Sequence, residues 1–227
     1  ITSHRGCCGG CAFCAIGRHQ GRSIQSRSID SILREVAALT RHPQFRGTIT
    51  DLGGPTANMY GLSCAKEGKN SRCSRPSCLW PQICPSLRVA FGMGAELLKR
   101  VRKTPGVQHL FVASGVRYDL LEKQLPYLDE MLTHHVGGLL KVAPETLAPE
   151  VAAVMRKPGP EILIRFLKIF WDYNRKLGRR QGVVPYLIAA HPGCTLAHMV
   201  DTALFLKRHH LRVEQVQEFT PTPGTLA

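Results

Sequence analysis

Hydrophobic and polar positions along this chain follow two alternating rhythms. Short runs rich in branched and aromatic residues cover residues 48–52, 107–113, 139–143, 183–189 and 213–219, each followed closely by Gly, Pro or Ser. Runs of this kind read as strands that end in turns. Residues 1–4 read as the end of a further strand. Between the runs the spacing lengthens to that of a helix. Ile29, Ile32, Leu33, Val36 and Leu39 share one helical face, with Asp30 in the first turn and Pro43 beyond the end. Leu97, Leu98 and Val101 form a second face, followed by Lys99, Arg100, Arg102 and Lys103 where a helix C-terminus favours cations. Ile162, Leu163, Phe166, Leu167, Phe170, Trp171 and Leu177 form the longest stripe, closed by Gly178, and its aromatics read as core. Met199, Val200, Ala203 and Leu204 form the last.

Strands alternating with helices imply an α/β fold with a parallel sheet. Six such units suit a partial (β/α)6 TIM-like barrel better than a full eight-unit one, and in such folds chemistry gathers at the C-terminal strand ends. At 227 residues and 44 % hydrophobic composition the chain can bury one large core. No apolar run approaches the roughly 20 residues that span a bilayer, so no membrane partner is expected. The chain opens on Ile1 and reaches Cys7 almost at once. It therefore reads as the core of a longer protein, truncated at both ends.

Charge and cysteine usage narrow the chemistry. Nine cysteines without a secretion signal argue for metal binding in a reducing compartment, the cytoplasm by default. A net charge of +14 suits a polyanion such as RNA, but it is spread along the chain rather than gathered in one arm. The densest chemistry lies at Cys7-x3-Cys11-x2-Cys14, with Phe13 before the last cysteine. Three thiolates this close can hold three irons of a [4Fe-4S] cluster and leave the fourth iron open for a substrate. A zinc site completed by a distant ligand, or structural thiols, are the alternatives. Cys64-x8-Cys73-x4-Cys78-x5-Cys84 lies in a basic insertion, residues 61–88, after the second strand. This is a candidate second metal site, for zinc or an auxiliary Fe–S cluster, or a set of unliganded thiols. Cys8 and Cys194 are left over, and Cys8 reads as incidental.

The cysteine triplet and its aromatic resemble the signature of the radical S-adenosylmethionine (SAM) superfamily. Residues 21–27, followed by Ile32, Glu35 and Val36, resemble the segment after the cluster loop in radical SAM methylthiotransferases. Residues 190–195 and 219–225 resemble the turns after their fifth and sixth strands. Residues 51–60, 113–119, 133–138 and 141–145, with Met155, Lys157, Pro158 and Gly159, look like the YgiQ (UPF0313-like) family of radical SAM proteins. The resemblance implies a radical SAM core over residues 1–227. It also implies a [4Fe-4S] cluster on Cys7, Cys11 and Cys14, SAM as cofactor, an electron donor such as flavodoxin or ferredoxin, and no settled substrate.

The same resemblance implies cofactor contacts at the strand ends. Gly53 and Gly54 stand where the superfamily commonly carries Gly-Gly-Glu against the SAM amino group. Pro55 replaces the acid here, so Asp51, Thr56 or backbone carbonyls must serve. Ser114 and Arg117 suit ribose and carboxylate, Glu145 the ribose hydroxyls, Lys157 the carboxylate, and His191 an adenine contact or proton carrier. Each has a plainer alternative: a tight strand exit, an ordinary turn, a solvated carboxylate or a satisfied histidine. The competing function is a zinc-binding, cysteine-rich RNA-binding module without catalysis.

Overall fold

The computed structural model describes residues 1–66 and 73–227; residues 67–72 of the expected insertion lie outside the described part. The strands, in chain order, are β1 (His4–Arg5), β2 (Gln25–Ser26), β3 (Thr48–Ile49), β4 (Ser63–Cys64), β5 (Leu87–Arg88), β6 (His109–Leu110), β7 (Leu139–Glu145), β8 (Gly182–Ala189) and β9 (Gln215–Glu218). The helices are α1 (Ile16–His19), α2 (Ile29–Thr40), α3 (Met93–Arg102), α4 (Tyr118–Leu121), α5 (Leu125–His134), α6 (Pro149–Met155), α7 (Pro160–Lys176) and α8 (Leu196–Arg208).

All five strand runs read from the sequence carry strands, and their pairing is parallel and sequential. A bridge joins Thr2 to Gly53, β3 pairs with β6, a second bridge joins Val116 to Val142, β7 pairs with β8, and β8 with β9. The β3–β6 ladder is short, but backbone bonds from Leu52 N to Phe111 O (3.1 Å) and Phe111 N to Ile49 O (2.9 Å) extend it. The described strands do not close into a barrel, and the fold they establish is a mixed α/β one. Leu110, Leu140, Val142, Val183 and Leu187 from the strands pack with Ile32, Val36, Leu98, Met131, Phe166 and Phe170 from the helices into the main core.

Two helices carry the mechanics of their sequence visibly. α2 opens on Ser28, whose hydroxyl accepts from Ser31 N, the arrangement that satisfies an orphan donor at a helix start. α8 opens on Thr195 in a capping box with His198. The α8 stripe, however, does not point inward: Val200 and Leu204 are each 51 % exposed, while Thr202 is buried and Phe205 and Leu206 meet the core. Apolar residues occupy both faces of α8, so periodicity alone could not choose between them. Trp171 on α7 is likewise 42 % exposed, unlike Phe166 and Phe170 beside it. α5 was not legible as a stripe. Pro126 stands at its N-terminus, where its missing N–H costs nothing, and Leu128, Met131 and Leu132 follow as buried core.

β4 and β5 pair antiparallel, with Cys64 opposite Leu87, and close the base of the cysteine-rich insertion. Its described residues lie against the loop formed by residues 7–14.

Candidate functional site

Residues 7–14 leave β1 on the side where the parallel strands end, and neighbouring segments hold this loop by its backbone. Cys7 N donates to Gly21 O (3.0 Å) and Ala12 N to Met155 O (3.0 Å). From the insertion, Ser77 Oγ donates to Gly9 O (2.5 Å) and Cys78 N to Cys8 O (3.0 Å). Gly10, at φ +61°, lies so close to the Pro76 carbonyl that no Cβ would fit. Glycine is the residue that takes this left-handed conformation and permits such an approach. The insertion thus braces the cysteine loop.

Cys7, Cys11 and Cys14 share one electrostatic neighbourhood. Burial pushes the Cys7 and Cys14 thiols up, and each of their neighbours' charges adds to or offsets that shift. A Cβ on Gly9 would stand 3.4 Å from Cys7 Sγ, 3.8 Å from Cys11 Sγ and 3.1 Å from Arg117 Nη1. The bare glycine therefore keeps open a space bordered by two sulfurs and a guanidinium. Buried thiols resist ionising by themselves, and a metal supplies the missing positive charge. Three soft sulfur donors on a glycine-lined loop suit an iron–sulfur cluster. Among the described residues no three His, Cys, Asp or Glu side chains stand as ligands around a single ion. A cluster asks for a different arrangement, since each of its cysteines holds a separate iron.

Cys64, Cys73, Cys78 and Cys84 do not converge on one point either. Cys78 is instead paired with the buried Cys8, which is not incidental as the sequence suggested. Beside Cys8, and with Arg22 and Arg75 facing it, the Cys78 thiol is held below its ordinary range.

The six residues expected to hold SAM fall into two groups. Gly53, Gly54 and Ser114 line a cavity of about 420 Å³ together with Thr2, His4 and Asp51, a size that suits a small-molecule ligand. Asp51 ties the ends of β3 and β6, accepting from Ala113 N (2.7 Å), Ser114 N (2.9 Å) and the Ser114 hydroxyl. A Cβ on Gly54 would lie 2.6 Å from the His4 ring, and one on Gly53 would collide with Ser114 Oγ. His4 is buried, accepts or donates through Nδ1 at Ser3 Oγ (2.9 Å), and leaves Nε2 without a well-formed partner. Burial pulls its pKa down to about 4, and the Thr56 backbone offsets only part of that. An orphaned polar atom in the wall of a cavity fits a polar ligand.

Arg117, Glu145 and Lys157 lie on the cysteine side. Arg117 Nε and Nη2 fork onto Asp119 at 2.9 and 2.6 Å, and Nη1 faces Cys11 Sγ at 3.7 Å. The Nε/Nη2 edge of the guanidinium is therefore engaged, and Nη1 remains toward the cysteine loop. Glu145 ends β7 at φ +69°, after a register shift between Val142 and Glu145. A non-glycine residue held in this region marks local strain of the kind that collects at functional sites. Arg156, left-handed at the end of α6, delivers Lys157 to within 3.9 Å of Glu145. Burial pushes Glu145 up, and Lys157 and Arg117 oppose that shift. Cys14 senses both Glu145 and Lys157. His191, fully buried, lies edge-on to Phe13 of the cysteine loop and to Phe219, with Nδ1 at Pro192 O (2.9 Å) and Nε2 unpartnered.

Sequence reasoning missed the framework behind these groups. Asn58 Nδ2 donates to Arg117 O (3.0 Å) and Gln124 Oε1 (2.8 Å), Asn58 Oδ1 accepts from Arg117 N (2.8 Å), and Gln124 Nε2 returns to Asn58 O (2.9 Å). Asn58 and Asp119 both fall inside the runs that carry the family resemblance, and that placement was the available signal.

Parallel strands thus end at a three-cysteine loop and a polar cavity in a mixed α/β protein. The family model of the radical SAM superfamily matches residues 1–206, and the chain belongs to that superfamily. Over its whole length it is 55 % identical to a UPF0313 protein of Geobacter sulfurreducens, of which it spans 38 %. It is 49 % identical to a UPF0313 protein of Methanosarcina acetivorans, spanning 31 %, and 46 % identical to one of Pseudomonas aeruginosa, spanning 30 %. The chain thus spans about a third of the length of the curated relatives it matches. Among the described residues no helix is long and apolar enough to cross a membrane.

Proposed function

We propose that this chain is the core of a radical SAM enzyme, with a partial (β/α)6 arrangement carrying the site at its C-terminal strand ends. The sequential parallel pairing from Thr2 to β9 supports that arrangement. Cys7, Cys11 and Cys14 would hold a [4Fe-4S] cluster, and Gly53, Gly54, Asp51 and Ser114, which wall one cavity, would take SAM. When bound, the pair supplies reductive cleavage of SAM to methionine and a 5′-deoxyadenosyl radical, with the electron drawn from a one-electron donor such as flavodoxin or ferredoxin.

The chain's own residues do the positioning. Gly9 keeps room among the thiols, and Asp51 holds Ser114 at the cavity wall. Glu145 and Lys157 set the charge beside Cys14. The observation that carries the reading is the trio of thiols grouped on a glycine-lined loop, next to a cavity with an orphaned His4 Nε2. Nothing beyond overall charge favours the RNA-binding alternative, and the substrate stays open.

The test is anaerobic reconstitution with iron and sulfide. Cys11→Ala abolishes cluster binding, while Cys8→Ala, whose thiol faces Cys78 instead, retains it. Equal iron in both variants refutes the ligand assignment. Zinc in place of iron refutes the cluster.

A further inference from the structure

Arg117 is held in direction from both ends. Its backbone N–H and C=O are both bonded to the Asn58 amide, at 2.8 and 3.0 Å. Its guanidinium forks onto both oxygens of Asp119, at 2.9 and 2.6 Å. The pair is buried, with side chains 8 % and 9 % exposed. What remains of the planar fork is Nη1, and it faces Cys11 Sγ at 3.7 Å. Gly9 permits the approach, since a Cβ there would stand only 3.1 Å from Nη1.

We infer that Arg117 is a positioning residue that aims a fixed positive charge and an N–H at the Cys11 sulfur, and so raises the reduction potential of the cluster held there. The inference rests on the cluster assignment made above. Reduction adds negative charge that spreads onto the cluster and its sulfurs. Hydrogen bonds to those sulfurs and local net charge are among the levers that set such potentials. A charge-assisted N–H is stronger than a neutral one, and low-dielectric surroundings strengthen its effect. Arginine suits the task because one rigid fork can grip a carboxylate and still point a third nitrogen elsewhere. A lysine has no such geometry. Asp119 both aims the guanidinium and offsets its charge, so removing each partner has an opposite consequence.

The experiment is a potentiometric dithionite titration of the iron- and sulfide-reconstituted protein without SAM, followed by absorbance and electron paramagnetic resonance. Iron and sulfide are counted first in every sample. Arg117→Gln lowers the midpoint: at the wild-type midpoint potential the oxidised-to-reduced ratio rises about tenfold, a shift of about 59 mV for a one-electron couple. Asp119→Asn leaves the guanidinium uncompensated and moves the midpoint the other way. If Arg117→Gln does not fold, Asp119→Asn alone decides. Two variants that carry a full cluster and keep that ratio within about twofold of wild type overturn the role of Arg117 while leaving the cluster reading intact. So does a shift of both midpoints in one direction, which is what loosened packing gives. Wild-type protein that takes up no iron and sulfide overturns the cluster reading and this inference with it.

Discussion

Replacing Asn58 with alanine removes the joint between the segment after β3 and the Arg117 turn, and its cost can be worked from the bonds it breaks. Three buried groups lose their partner: the Arg117 N–H, the Arg117 carbonyl and Gln124 Oε1. Each buried group left unpaired costs about 1–3 kcal/mol. A water entering the vacated space can satisfy one of them, so the expected loss is about 2–6 kcal/mol. That is a large part of the roughly 5–15 kcal/mol that holds a domain folded. Equilibrium urea unfolding reads it directly. With a slope of about 3 kcal/mol/M, the midpoint falls by about 0.7–2 M. Asn58→Asp is nearly isosteric and keeps the acceptor for Arg117 N–H, but it turns two donated bonds into repulsions. It is therefore more damaging than Asn58→Ala. A loss below about 1 kcal/mol for Asn58→Ala, or an aspartate variant more stable than the alanine one, refutes a dry, fully formed network.

Two further predictions concern the orphaned polar groups. His4 stays neutral in the folded chain down to about pH 4, whereas the unfolded chain takes up the proton near its ordinary 6.5. The unfolded state thus binds more protons between those values, so the stability His4 contributes is complete above about 6.5 and is lost as pH falls towards 4. His4→Gln gives a shallower loss of stability across that window, and identical slopes contradict the assignment. Tyr118 OH is buried without a partner, so Tyr118→Phe stabilises the ligand-free chain by about 1 kcal/mol. Thermal unfolding checks this, and a destabilised phenylalanine variant shows that the hydroxyl has a partner.

How much of this was legible in the sequence depended on the range of the interaction involved. Local signals travelled well: the strand runs ending at Gly53, Ser114, Glu145 and His191 all carry parallel strands, and α2 has Asp30 in its first turn as the sequence placed it. Contacts made by the tertiary fold were not legible. Arg117 grips Asp119, two residues on, and only the turn after β6 brings that fork together. Cys8 had no visible purpose because its partner, Cys78, is 70 residues away and is delivered by the insertion. The outward face of α8 illustrates the same limit. Both faces of that helix are apolar enough to serve as core, and the choice is made by what packs there. The site's charge balance belongs to this nonlocal class too: Glu145, Lys157 and Cys14 come from separate elements and acquire their character from one another.

The most direct test of the central claim is a count of 5′-deoxyadenosine. Protein reconstituted with iron and sulfide is reduced by dithionite in the presence of SAM, beside a Cys7→Ala control. The account predicts 5′-deoxyadenosine and methionine in equal amounts from the wild type and none from the control. A wild type that holds a full complement of iron and sulfide yet forms no 5′-deoxyadenosine contradicts it.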